Sequence, residues 1–235
     1  MSRRRRLTRP VIAAAVVATV LAGSAVVWAV SAASGPPAGL VAVVRADPSG
    51  SSLLLRFVCS GLATGNGLVV TAAHCVGAAD ASRFEIVADV TDLCERNGSS
   101  GVPVGSVIAV DSAADVLWLD VPGLNPFREL DTADPTPGDA VAWGWGGRSG
   151  PSCQARSVYL TLMADSDCRT ERDRFGLPAT YFCATPAGGG PNTCGGDSGG
   201  PILQAGRLVG ITSAGAGCGQ RSVGFGARAE TPPGR

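Results

Sequence analysis

An all-β fold is what the punctuation of this chain predicts. Thirty-three Gly and 16 Pro interrupt short apolar runs across 235 residues, and runs rich in Val, Leu and Ile bounded by Gly or Pro read as strands. About six such runs fall on each side of a Pro-rich connector. The first set lies near residues 40–46, 52–59, 67–72, 84–90, 102–110 and 115–121. The connector, 122–138, carries Pro122, Pro126, Pro135 and Pro137. The second set lies near 139–145, 155–163, 180–185, 200–204, 207–213 and 222–228. Spacing alone leaves two packed barrels and a single sandwich both open.

The chain before the first strand has a different composition. Residues 1–10 carry five Arg and no acid, and residues 11–33 carry no charge. A basic start followed by an apolar run is an export signal, with the small residues Ser31-Ala32-Ala33 suited to cleavage. At 1.5 Å per residue the run could reach roughly 35 Å, so an uncleaved membrane anchor through residues 11–33 is the alternative. The organisation expected is a leader at 1–33, a first β-domain at 34–121, the connector at 122–138 and a second β-domain at 139–235. Without the leader's Arg, 14 Arg face 19 acids, a net charge of −5. That argues against nucleic acid as a partner, because phosphate binding needs a basic surface. Eight Cys in an exported domain read as disulfides. A single His and no C-x-x-C pair argue against a metal site. No cofactor is expected, and a monomer is. Asn97-Gly98-Ser99 matches a glycosylation sequon but also reads as a turn.

The chemistry gathers in Cys194-Gly195-Gly196-Asp197-Ser198-Gly199-Gly200-Pro201. A serine between glycines lets backbone approach a substrate closely and lets N–H groups converge on a developing oxyanion. Such a serine needs a base. All 19 basic residues are Arg, so a Ser–Lys pair is impossible, and His74 is the one imidazole. Gly196 to Gly200 also fits the G-x-S-x-G elbow, but that arrangement runs Ser, acid, His, whereas His74 precedes Ser198 by 124 residues. An Asp-first order has only Asp47, in a Pro/Ser/Gly loop. The order His, Asp, Ser remains. Asp111 and Asp115 are the contenders for the acid. Asp115 is followed at once by Val116-Leu117-Trp118-Leu119, so its carboxylate can sit in a dry setting, whereas Asp111 beside Ser112 reads as a turn residue.

Two runs, Thr71-Ala72-Ala73-His74-Cys75 and Gly196-Asp197-Ser198-Gly199-Gly200, resemble the hallmark motifs of trypsin/chymotrypsin-like serine endopeptidases. The resemblance covers about residues 38–229. It implies two six-stranded antiparallel β-barrels side by side, with the site in the cleft between them. It implies hydrolysis of protein or peptide substrates: Ser198 as nucleophile, His74 as base and then acid, Asp115 as its orienting partner, and the N–H groups of Gly196 and Ser198 as the oxyanion hole. It also implies the disulfides Cys59–Cys75, Cys168–Cys183 and Cys194–Cys218. Cys94–Cys153 follows from parity alone.

The specificity pocket implied by the resemblance comprises Asn192, Thr193, Ser213, Ala214, Gly215 and Val223. Asn192 stands where trypsin-like members carry an Asp, so a basic P1 side chain is not expected to be preferred. Ala214 replaces the Trp of the family's Ser-Trp-Gly wall, and Val223 aligns with a Gly of deep pockets, which together predict a shallow site. The family's Ile-Val-Gly-Gly start, whose new amino group pairs with the Asp before the nucleophile, has no counterpart. Its expected place overlaps residues 26–34. Asp197 therefore needs another N-terminus, an Arg or backbone donors, or the oxyanion loop is unformed.

Overall fold

The computed structural model describes residues 35–47, 49–77, 80–95, 101–125, 131–215, 217–219 and 222–229. The expected leader or anchor at 1–33 and the Asn97 sequon lie outside these residues. Among the described residues no helix is long and apolar enough to cross a membrane.

The first half folds as one antiparallel sheet of seven strands: β1 (Leu40–Arg45), β2 (Phe57–Ala63), β3 (Leu68–Ala72), β4 (Phe84–Val87), β5 (Val102–Pro103), β6 (Ser106–Asp111) and β7 (Val116–Asp120). Their spatial order is β5-β4-β1-β2-β3-β7-β6. The edges β5 and β6 are the expected run 102–110 broken in two. Val104 donates its N–H to the Phe84 carbonyl at 3.1 Å, and Gly105 donates to the Asp120 carbonyl at 2.9 Å. Consecutive amides thus bond to opposite ends of the sheet, which curls it into a half-barrel.

The run expected as a strand at 52–59 is a helical turn, α1 (Leu53–Arg56), before β2 begins at Phe57. The turn buries Leu53 and the Arg56 side chain, whose Nη1 donates to Glu85 Oε2 and to the Arg45 carbonyl, both at 3.1 Å. An Arg can be buried only with such partners.

The second half is a closed six-stranded barrel: β8 (Gly138–Gly144), β9 (Arg156–Leu162), β10 (Tyr181–Pro186), β11 (Pro201–Gln204), β12 (Arg207–Gly215) and β13 (Gly224–Ala227). It closes in the order β10-β13-β12-β11-β8-β9. A helix absent from the sequence expectation, α3 (Asp165–Phe175), is pinned to β10 by Cys168–Cys183 and by Arg172, which bonds the Tyr181 carbonyl at 2.9 Å.

The halves share an apolar core. Strands of the first sheet bury Val41, Val43, Leu62, Val70, Leu117 and Leu119, and Trp143, Trp145 and Ile211 of the second half belong to the same cluster. Each such aliphatic side chain removed from water contributes about 1.5–3 kcal/mol. Trp145 is fully buried, stacks edge-on with Phe57 at 5.8 Å and donates its indole N–H to the Thr91 carbonyl at 3.2 Å.

Candidate active site

His74 is set by a change of backbone geometry. β3 ends at Ala72, and the short turn α2 (Ala73–Val76) lifts the imidazole out of the sheet to about half exposure. Asp115 holds it. The carboxylate accepts the His74 backbone N–H on Oδ1 at 2.8 Å and meets ring Nδ1 on Oδ2 at 2.8 Å. The Asp115 carbonyl also accepts the Ala73 N–H at 3.0 Å. Because Nδ1 faces a carboxylate, the ring proton sits there and Nε2 is left as an acceptor. Asp111, the other contender, accepts the Ala114 N–H at 2.9 Å and caps the turn before Asp115.

A third donor reaches the same carboxylate: the Ser213 hydroxyl bonds Asp115 Oδ2. Burial alone would push the Asp115 carboxyl up. The hydrogen bonds from His74 and Ser213 and the imidazole charge outweigh it and hold it below the ordinary value of 3.8. The hydrogen bond to Asp115 raises His74 above its ordinary 6.5, against desolvation, and the carboxylate charge adds to the rise.

The Ser198 loop is bolted to both halves. The Ser198 carbonyl accepts the Ser60 N–H at 2.9 Å, and the Ser60 hydroxyl donates to the Gly196 carbonyl at 2.8 Å. Ser60 follows Cys59, which is bridged to Cys75 beside His74 with an S–S bond of 2.01 Å. On the other flank Gly199 donates to the Thr212 carbonyl at 2.7 Å, and Thr212 donates to Gly200 at 2.8 Å. Thr212 precedes Ser213, which grips Asp115. Two short bonded routes therefore tie Ser198 to His74 and to Asp115.

Within the loop the amides divide into two sets. Asp197, Gly199 and Gly200 donate to the carbonyls of Cys194, Thr212 and Asp197, at 3.0, 2.7 and 2.9 Å. Those of Gly196 and Ser198 donate to no backbone carbonyl among the described residues. The Asp197 side chain is buried and accepts the N–H groups of Gly146 at 2.7 Å and Cys194 at 2.8 Å. Burial raises its pKa, opposed by these bonds and by the charge of Arg156, whose guanidinium donates to the Gly146 carbonyl.

The trypsin family profile matches residues 41–231. The chain belongs to the trypsin family. It is a serine-type endopeptidase by that membership, a hydrolase of the trypsin-like class. It is 30% identical over 185 residues to hypodermin-B of Hypoderma lineatum, covering 68% of each chain. It is 30% identical over 174 residues to a trypsin of Saccharopolyspora erythraea, covering 68% of this chain and 76% of that one. Its fold is similar to that of the VesB protease of Vibrio cholerae, with a TM-score of 0.63 at 21% identity, over 80% of this chain and 60% of that one. It is equally similar to a scabies mite inactivated protease paralogue, with a TM-score of 0.63 at 23% identity, over 80% of this chain and 88% of that one.

Asn192, expected in the specificity pocket, is buried and its amide is fully engaged. Nδ2 donates to the Ser222 carbonyl at 2.7 Å and to its hydroxyl at 3.1 Å, while Oδ1 accepts the Thr193 N–H at 2.8 Å. Ala214 and Gly215 are exposed at the end of β12. Val223 directly precedes β13. The β12–β13 register shifts by one residue between Thr212 and Ala214, so Gly224 lies opposite Gly215. Val223 packs against the shared core. The bulge falls at Ser213, and an extra residue in one strand re-aims a side chain. That hydroxyl's bond to Asp115 is the contact sequence reasoning missed, since a bulge leaves no signal in composition.

The structure joins all four expected cysteine pairs: Cys59–Cys75, Cys94–Cys153, Cys168–Cys183 and Cys194–Cys218, with Cα–Cα separations of 6.0, 5.2, 5.3 and 4.8 Å. The side chains of Cys59, His74 and Cys75 cluster within 4.8 Å, and both sulfurs are joined in a disulfide, which leaves the imidazole as that cluster's one free ligand.

Proposed function

We propose that this protein is an exported, monomeric endopeptidase that cleaves peptide bonds through an acyl-enzyme on Ser198. His74 takes the Ser198 proton and later delivers it to the leaving amine. Asp115 fixes the tautomer and stabilises the imidazolium. The N–H groups of Gly196 and Ser198 bind the oxyanion, where one such donor is worth roughly 3–4 kcal/mol. The observation that carries this reading is the Asp115 carboxylate gripping both the ring and the backbone of His74 at 2.8 Å. Four disulfides fit an oxidising compartment.

The substrate's P1 side chain is neutral. A neutral amide at Asn192, already bonded to Ser222 and Thr193, supplies no counter-charge for Arg or Lys. A fluorophosphonate probe is expected to label the protein at Ser198, with Ser198→Ala and His74→Ala folded and unlabelled. A fluorogenic panel should rank neutral P1 residues above Arg. Wild-type labelling of either variant, or Arg winning the panel, would refute the corresponding half.

A second reading is a protease-like binding domain with a restrained site. Asp197 favours it, because no cation lies within 4.0 Å of its buried carboxylate among the described residues. A buried charge without a cationic partner costs several kcal/mol, a load the loop carries on two amides. The same probe decides, since only a formed site reacts.

A further inference from the structure

A cavity of about 510 Å³ adjoins His74. It is bordered by Arg45 at the end of β1, His74 and Cys75 of α2, Ser82 and Arg83 before β4, and Phe84. Every lining residue comes from the first half. The second barrel, which carries Asn192 and Ser213 to Gly215, contributes none. On the acyl-enzyme reading, with the specificity pocket where the family resemblance implies it, the acyl side of a substrate lies against that second-barrel wall. The departing amine must lie beside the imidazole that protonates it, so the chain beyond the scissile bond runs toward this cavity.

The cavity's charge runs against that of the molecule. Residues after 33 carry 14 Arg against 19 acids, yet two Arg and no acid line this cavity. Arg45 and Arg83 are exposed, and neither has a carboxylate within 4.0 Å among the described residues. Glu85, the acid nearest in sequence to Arg83, is paired with Arg56 at 3.1 Å, and Asp80, whose charge also reaches Arg83, turns its Oδ1 to the Ser82 N–H at 2.9 Å. Guanidinium groups match carboxylates in shape and charge, and they remain charged at every working pH.

We infer that this cavity is a subsite for the departing part of the substrate and that Arg45 and Arg83 select a carboxylate there. The carboxylate is an acidic side chain just after the scissile bond, or the free C-terminus of a short leaving peptide. The inference rests on the acyl-enzyme reading above.

The test runs deacylation with competing acceptors. An ester with a neutral P1 residue acylates Ser198. Water or an added dipeptide then attacks the acyl carbon, gives its proton to His74 and releases the Ser198 hydroxyl. The ratio of aminolysis to hydrolysis is read by mass spectrometry for Ala-Glu amide, Ala-Gln amide, Ala-Arg amide and Ala-Gln with a free carboxylate. Ala-Glu amide, Ala-Gln acid or both should exceed Ala-Gln amide by roughly two- to fivefold, the scale of an exposed charge-assisted pair. Ala-Arg amide should fall below it. Which acceptor gains identifies the carboxylate's source. The Arg45→Gln/Arg83→Gln double variant should lose the preference, and the charge-matched Arg169→Gln/Arg174→Gln double variant on α3 should keep it. Acylation followed by indifference to acceptor charge overturns the subsite alone. Failure to form an acyl-enzyme from the ester overturns the triad reading, and the subsite with it.

Discussion

Asp115 pays for its position in backbone strain. Its φ of +57° is a left-handed conformation that costs a non-glycine residue about 1–3 kcal/mol. In exchange the carboxylate meets the ring N–H, a backbone N–H and the Ser213 hydroxyl together. Asp115→Asn should therefore leave the fold intact and lower kcat on the order of 10⁴-fold, because an amide NH₂ facing Nδ1 forces the proton onto Nε2. Steady-state hydrolysis of a neutral P1 ester checks it, and a loss under tenfold would remove Asp115 from the mechanism. The pH dependence has a definite sign. Only neutral His74 accepts the serine proton, and its pKa lies above 6.5 because of Asp115. The acid limb of kcat/KM should lie above pH 6.5 in the wild type. In Asp115→Asn desolvation acts alone, so the limb should move below it. Folding stability follows a different rule. The His74 contribution is complete below pH 6.5 and is lost as pH rises through the raised folded value. The Asp115 contribution is present above pH 3.8 and is lost as pH falls through the depressed folded value. The pair thus stabilises most between those limits, where the catalyst is least active.

The elements explain why so short a loop holds its shape. Gly199 has φ +76°, and a Cβ there would intrude on Thr71 Oγ1 and the Ser60 carbonyl and come within 2.8 Å of the Ala72 nitrogen. Gly199→Ala should cost about 2–5 kcal/mol through backbone strain and overpacking. It should push the Ser198 loop off β2 and β3. Fluorophosphonate labelling should be lost while far-UV dichroism persists; labelling at the wild-type rate would show that these contacts do not set the loop. The same elements divide what the sequence reveals from what it hides. The two motif runs and most strands were legible, because motif residues lie adjacent in the chain and Gly or Pro bounds most of the apolar runs. Leu53-Leu54-Leu55 was not, since an apolar run has no period to separate a helical turn from a strand. Nor was α3, whose polar face hid a helix with acids in its first turn and Arg in its last. The bulge at Ser213 was invisible for a different reason. Without it Val223 would face Gly215; one extra residue moves Gly224 there and turns the hydroxyl to Asp115.

On the scale of the whole molecule, the site depends on two halves staying in register. Cys94–Cys153 crosses between them, and its neighbours form a miniature antiparallel ladder. Leu93 donates to the Cys153 carbonyl and Ala155 to the Thr91 carbonyl, both at 2.8 Å, with Asp92 bridged to Gln154. Parity suggested this pair; the ladder is the physical reason for it. The bridge closes a loop of 59 residues, for which chain entropy gives about 4 kcal/mol of stabilisation. Its ladder is bonded to the buried Trp145, whose indole donates to the Thr91 carbonyl and whose backbone N–H meets the Ser60 hydroxyl at 3.3 Å. Ser60 in turn carries the Ser198 loop. Loss of the bridge should reach the nucleophile through that chain. The Cys94→Ser/Cys153→Ser double variant is expected to unfold at lower urea by an amount matching about 4 kcal/mol. Its fluorophosphonate labelling should fail at lower urea than its tryptophan fluorescence changes, because the halves slip before either melts. An unchanged urea midpoint, or labelling and fluorescence lost together as in the wild type, would mean that the shared apolar core alone holds the cleft.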